Sequence, residues 1–311
     1  MVVLVTGANG QLGCELRLKS VASKDTFIFS DIADISDSSR AMLQALVEGH
    51  PDTSTLRLDI TDSVAVRETV RKYGVNVIVN CAAYTNVEAA EDNSDIARKL
   101  NAQAPSILSR VIEEQGGTLI HISTDYVFGD GESSAPYKED AKGAPLGVYG
   151  RTKLEGEQEI AITGCPYIIL RTAWLYSEFG RNFCLTMRQL TSQKDTIKVV
   201  DDQRGTPTYA GDLAEAIISI IGERMLDRTG IYHFSNEGEC TWYDFAQSIA
   251  QFSGNLSCRI LPCASSEYPS KVRRPSYSVL DKDKFKATFL RTIPQWKDSL
   301  VKCISNLDKK D

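Results

Sequence analysis

Apolar positions along this chain follow two periods. Val2-Val3-Leu4-Val5 is an unbroken run rich in β-branched residues, the pattern of a strand buried on both faces of a parallel sheet. It leads into Thr6-Gly7-Ala8-Asn9-Gly10-Gln11-Leu12-Gly13 and then into helical spacing over 12–21. Further apolar runs at 26–30, 56–60, 75–80, 119–124 and 167–170 predict strands. Between them, spacing of three and four over 62–73, 87–93, 95–114 and 148–161 predicts helices, with Asp62 as a cap and Gly116-Gly117 as a break. Segment 33–53 is polar apart from Met42-Leu43 and Leu46-Val47, and reads as a long connection holding a short helix.

Strand and helix alternate from the N-terminus, so the expected fold is α/β: a doubly wound, Rossmann-like parallel sheet with right-handed crossovers over 1–172. Beyond it the pattern is more polar. Helical spacing recurs at 182–190, 210–221, 241–251 and 294–307, with short strands at 197–200, 231–234 and 258–261. Residues 173–311 therefore read as a smaller C-terminal α/β substrate lobe, part of it returning to the main domain.

Composition narrows the partners. The apolar share is 42% and the charged share 24%, as in a globular protein with a sizeable core. A net charge of −6 disfavours nucleic acid and anionic membrane surfaces. Apolar runs fall short of the roughly 20 residues that cross a bilayer, and Met1 to Val5 lacks a basic leader, so the expected place is the cytoplasm. The eight cysteines (14, 81, 165, 184, 240, 258, 263 and 303) are scattered, without metal-site spacing, and are expected to be free and mostly buried.

Strand, glycine turn and helix is the context of a dinucleotide-binding loop. Glycines let the backbone approach a pyrophosphate, whose charge meets the free amides of a helix N-terminus. The spacing is G-x-x-G-x-x-G at Gly7, Gly10 and Gly13, and the alternative is a glycine-rich turn without a ligand. Asp31, at the end of the second strand, suits the adenosine ribose hydroxyls and would repel a 2′-phosphate, which favours NADH over NADPH. Small residues at Cys81-Ala82-Ala83 leave room at a strand end.

Between His121 and Lys153 lies a hydroxyl pair, Ser123-Thr124, and then Tyr149-Gly150-Arg151-Thr152-Lys153. Residues four apart share a helix face, so the Tyr149 phenol and Lys153 ammonium would point the same way. The alternative is a stacked pair on a surface helix. A cation about 4 Å from a phenolate, at an effective dielectric of about 20, stabilises it by about 4 kcal/mol. That amounts to nearly three pKa units, and would make the phenol a proton donor near neutrality.

TGANGQLG, CAAYTNVEAAED, STDYVFG, VYGRTKLEGE and RTAWLY together resemble the extended short-chain dehydrogenase/reductase superfamily. DQRGTPTYAGDLA over 202–214 and RRPSYSVLD over 273–281 narrow the resemblance to TDP-4-dehydrorhamnose reductases, across nearly the whole chain. Such enzymes reduce the 4-keto group of TDP-4-keto-6-deoxy-L-mannose with NADPH or NADH, making TDP-L-rhamnose for surface polysaccharide. The resemblance makes Tyr149 the general acid, Lys153 its partner and a holder of nicotinamide ribose, and Thr124 the hydroxyl on the substrate carbonyl. Ser123 competes with Thr124, since one residue flips a strand side chain. Gly7, Gly10, Gln11, Leu12 and Gly13 match the pyrophosphate loop. Asp31, Asp59 and Ile60 match adenosine contacts, and Ala83, Tyr84 and Thr85 the inner cofactor wall. Asp125 and Trp174 fall where the family meets the sugar nucleotide. Arg273 and Arg274 could grip its pyrophosphate. Some members pair as magnesium-linked dimers, so the resemblance admits Mg2+ and a homodimer, though no spacing here marks the ligands.

Two other readings compete. Dehydratases on this scaffold place Asp-Glu after the threonine, where this chain has Asp125-Tyr126, which disfavours water elimination; an epimerase would keep its nucleotide bound. Regulatory subunits of methionine adenosyltransferase resemble the family without catalysing, and the full Thr124, Tyr149, Lys153 set argues against that reading.

Overall fold

The computed structural model describes residues 1–47, 52–129, 135–268 and 270–309. β1 (Val2–Thr6), β2 (Thr26–Asp31), β3 (Leu56–Arg57), β4 (Val77–Asn80), β5 (Thr118–Thr124) and β6 (Tyr167–Thr172) form one sheet with a seventh strand, Gly230–His233. All neighbours are parallel, in the order β3-β2-β1-β4-β5-β6 and then Gly230–His233. The order runs outward in both directions from β1 and β4, which opens a crevice at their C-terminal ends.

Alternation along the strands builds two cores. Val3 and Val5 with Val77, Val79 and Ile120 face the helices Gln11–Ser20, Ala210–Gly222 and Asp283–Phe289. Leu4, Ile78, Leu119 and Ile169 face Ser63–Tyr73 and Ala104–Glu114 on the other side. Each such side chain, fully buried, is worth about 1.5–3 kcal/mol, so both layers are needed to hold the sheet. A third core joins helices Phe183–Gln193, Trp242–Phe252 and Trp296–Asp308 to a parallel pair of strands, Thr196–Val200 and Arg259–Cys263. Segment 210–233 returns from this lobe to the main sheet.

Three segments differ from the sequence pattern. β3 stops at Arg57, because the Thr61 amide and hydroxyl both donate to Asp59 Oδ1 and turn the chain away. The helix expected over 95–114 is Ser94–Arg98, a π turn at Lys99–Gln103, and Ala104–Glu114. Pro105 has no N–H for the Asn101 carbonyl, and its ring needs the wider turn. Helix Asp283–Phe289 was not anticipated. The long connection does hold a helix, Asp37–Leu46, while its stretch at 48–51 lies outside the described residues.

All eight cysteines are free, and seven are buried. Among the described residues, no helix is long and apolar enough to cross a membrane.

Candidate functional site

A cavity of about 790 Å³ follows the crevice from the glycine loop, past Ala83, Thr85 and Lys153, to Trp174 and Trp242. The three loop glycines have separate reasons. Gly7 has φ +65°, and a Cβ there would sit 2.5 Å from the Ala82 nitrogen. A Cβ on Gly13 would sit 2.5 Å from Ala8, where the helix closes on the strand. Gly10 has only the Gly7 carbonyl within reach, at 3.4 Å, so its surface is open to a ligand. It caps helix Gln11–Ser20 with no side-chain acceptor, which leaves first-turn amides for an anion. From beneath, buried Arg17 donates to the Ala8 carbonyl at 3.4 Å and to Asn9 Oδ1 at 3.1 Å, bracing the loop.

Asp31 faces this cavity, its carboxylate accepting from the Asn9 amide at 3.0 Å and the Ile32 amide at 2.8 Å. Asp59 and Ile60 line the same end, and the Thr61 hydroxyl and amide hold the Asp59 carboxyl below its ordinary range. Tyr84 does not line the cavity. Its amide donates to Asn101 Oδ1 at 2.8 Å and its carbonyl accepts from Asn101 Nδ2 at 3.1 Å. Asn101 Nδ2 also donates to Thr152 Oγ1 at 3.1 Å, so the π turn ties the inner wall to helix Val148–Ala161.

At the centre, alternation along β5 separates the two hydroxyls. Tyr149 and Thr124 line the cavity together, and the Thr124 side chain pulls the Tyr149 phenol toward its ionised form. Thr124 Oγ1 accepts from the Tyr126 amide at 3.2 Å and donates to Asp125 Oδ1 at 3.1 Å. Asp125 Oδ2 is buried without a partner, and burial pushes this carboxyl up to about 6 against the pull of Ser278 and Thr124. Ser123 also borders the cavity, but its hydroxyl donates to Glu157 Oε1 at 2.5 Å. Glu157 is paired in turn with Arg171, whose Nη2 lies 2.6 Å away, both side chains being buried.

The expected lowering of the Tyr149 pKa by Lys153 is not met. Burial pushes the phenol above its ordinary range; the Thr124 side chain opposes this, and the nearby Asp125 adds to it. Lys153 is turned elsewhere: its Nζ donates to the Ile122 carbonyl at 2.6 Å and lies 3.2 Å from His121 Nε2. Burial lowers Lys153 to about 8, with Glu157 and Cys81 opposing.

At the far end, Trp174 lies at φ +47°, uncommon for a bulky residue, and stacks on Trp242 with centroids 3.6 Å apart and planes 12° apart. Gly205 lets the indole close in from another side, since a Cβ there would meet it at 2.7 Å. Of the two late arginines it is Arg274 that lines the cavity, 3.5 Å from Glu88; Arg273 does not line it. Sequence reasoning missed Trp242 and Arg181 as lining residues. The Thr241–Asp244 capping box was a legible signal that Trp242 opens a helix, but not of what it faces. Among the described residues no group of three or more His, Cys, Asp or Glu side chains could hold a metal ion, so the Mg2+ admitted by resemblance finds no fitting donor set.

Comparison with known proteins agrees with this geometry. A probable dTDP-4,6-dihydroxy-2-methyloxan-3-one 4-ketoreductase of Streptomyces antibioticus is 39% identical over 265 residues, covering 84% of this chain and 89% of that protein. A dTDP-4-dehydrorhamnose reductase of Streptomyces griseus is 38% identical over 303 residues, covering 96% and 91%. The crystal structure of dTDP-4-dehydrorhamnose reductase from Bacillus anthracis in complex with NADP superposes with a TM-score of 0.82 at 32% identity, covering 98% of each chain. The profile of the RmlD substrate binding domain matches residues 1–309, and the chain belongs to that family.

Proposed function

We propose that this chain is an NAD(P)H-dependent oxidoreductase that reduces the 4-keto group of dTDP-4-dehydro-L-rhamnose to give dTDP-L-rhamnose. The observation that carries the reading is that Thr124 and Tyr149 come together on the wall of a cavity that begins at an uncapped glycine-loop helix. The loop amides and Asp31 suit a dinucleotide, and such a cofactor, when bound, supplies the hydride.

The chain's own residues handle the oxygen. Tyr149 gives its proton to the carbonyl oxygen as negative charge develops there, and Thr124 turns its hydroxyl from Asp125 to hold the same atom. Lys153 binds nicotinamide ribose hydroxyls. The unpartnered Asp125 Oδ2 suits a sugar hydroxyl beside the ketone, an arrangement that the name of the Streptomyces antibioticus relative's substrate also contains. The Trp174–Trp242 stack offers a flat apolar wall for the sugar.

Dehydration is disfavoured on a specific contact. Tyr126 stands where a dehydratase has its second acid, packs edge-on against Tyr149 at 5.5 Å, and is pushed up to about 12 by burial. A neutral phenol there cannot serve as a carboxylate base. The test is the purified protein with dTDP-4-dehydro-L-rhamnose, comparing NADPH with NADH. Oxidation of at least one, with dTDP-L-rhamnose as product, is expected. Oxidation of neither would return the chain to a non-catalytic role.

A further inference from the structure

Behind Lys153 lies a buried chain of polar side chains that the reaction above does not use. Asn80 Oδ1 accepts from the Thr6 hydroxyl at 2.7 Å and from the Ala82 amide at 3.2 Å. A backbone amide can only donate, so this fixes the orientation of the Asn80 carboxamide. Its Nδ2 therefore points to His121 Nδ1, 3.0 Å away, and donates to it. His121 is wholly buried, and burial holds it neutral, well below its ordinary range. A neutral imidazole has one proton, and with Nδ1 accepting, that proton sits on Nε2.

Nε2–H faces Lys153 Nζ at 3.2 Å. An ammonium has three donors and no acceptor, so it would set donor against donor in a buried site. A free amine has a lone pair for Nε2–H and still donates to the Ile122 carbonyl at 2.6 Å. No neighbour supplies a free anion to hold the charged form. Glu157, on the same helix, is neutralised by Arg171 from β6 and holds the Ser123 hydroxyl. The thiol of Cys81, after β4, and the phenol of Tyr149 are both raised by burial and stay protonated.

We infer that His121, oriented by Asn80, is a positioning residue that shifts Lys153 toward the free amine, and that Lys153 takes up the missing fraction of a proton when the cofactor binds. The cofactor's ribose hydroxyls and phosphates provide the acceptors and the negative charge that an ammonium needs. This rests on the reading of Lys153 as a nicotinamide-ribose ligand. Lys153 is then fully charged only when the hydride donor is in place, which ties the full lowering of the Tyr149 pKa to a loaded site. The lowering of Lys153 to about 8 by burial agrees with the hydrogen-bond count.

The test is calorimetric titration of the whole protein with NADPH in two buffers of different ionisation enthalpy, which gives protons taken up per cofactor bound. Wild type should take up about a quarter of a proton at about pH 7.5 and about nine-tenths at about pH 9. Lys153→Met should abolish that rise. Asn80→Asp keeps the shape but accepts a proton from Nδ1, so Nε2 becomes the acceptor and Lys153 is already charged; uptake at about pH 9 should fall below half of wild type. His121→Gln, which offers Lys153 an amide oxygen, should do the same. If neither variant folds, wild type and Lys153→Met still decide. Binding of NADPH with no uptake at about pH 9, or uptake that survives Lys153→Met, overturns the inference. Failure of NADPH to bind at all instead overturns the functional reading on which it rests.

Discussion

Two adjacent hydroxyls, Ser123 and Thr124, offer a sharp division between stability and turnover. Ser123→Ala removes a hydrogen bond to an ionised acceptor, Glu157, made at 2.5 Å in a buried setting. Such bonds contribute about 1.5–3 kcal/mol, and Glu157 keeps the Arg171 guanidinium, so no buried charge is left unpaired. The expected result is a loss of about 1.5–3 kcal/mol in urea unfolding, with kcat near wild type. Thr124→Val keeps the branched shape but deletes the oxygen that Asp125 and the Tyr126 amide both use. If that hydroxyl holds the developing oxyanion, kcat falls by about a hundredfold to a thousandfold, the usual effect of removing one such donor. Its stability also falls, by about 1–3 kcal/mol for the orphaned amide, so turnover is the deciding measurement. Steady-state kinetics on both variants at saturating NADPH, beside urea curves, read out the pair. The reasoning fails if Ser123→Ala loses a hundredfold in kcat while Thr124→Val keeps its rate.

Two further outcomes follow from the site's strain and charge. Trp242→Ala removes the partner that holds Trp174 at φ +47°, a conformation worth about 1–3 kcal/mol of strain, so KM for the sugar nucleotide should rise by about tenfold while NADPH affinity stays. Trp242→Phe should restore most of it; an unchanged KM in the alanine variant would show that the stack has no part in substrate binding. Asp125 is an acid raised by burial from 3.8 to about 6, so its contribution to stability is complete below about pH 4 and is lost as pH rises through about 6. Asp125→Asn should therefore unfold less readily than wild type above about pH 6, by up to about 3 kcal/mol, with the gap closing toward about pH 4. A gap that is the same at both ends would contradict the buried-carboxyl account.

What the sequence disclosed was mostly local. β1, the glycine turn and its helix are contiguous, so apolar run, spacing and cap could be read together, and helix Val148–Ala161 runs over the very residues its periodicity marks. The π turn at Lys99–Gln103 was hidden because Pro105 can equally open a helix or widen one. Trp242 and Arg274 reach the cavity from distant segments brought in by the second lobe, and no spacing rule spans that distance. Which of Arg273 and Arg274 lines the cavity was hidden for the same reason. Lys153 shows another limit: i,i+4 spacing put it on the Tyr149 face, yet its Nζ follows the Ile122 carbonyl and His121. Spacing gives a side chain's direction, while hydrogen-bond partners decide where its charged end rests.

The most direct test of the account is Tyr149→Phe, assayed with dTDP-4-dehydro-L-rhamnose and NADPH alongside a separate measurement of NADPH binding. The substitution removes one hydroxyl from a half-buried ring that also packs against Tyr126. The account predicts that turnover, followed by loss of dihydronicotinamide absorbance and by appearance of dTDP-L-rhamnose, falls by about a hundredfold or more while the NADPH Kd stays within about twofold. Turnover close to wild type would contradict it.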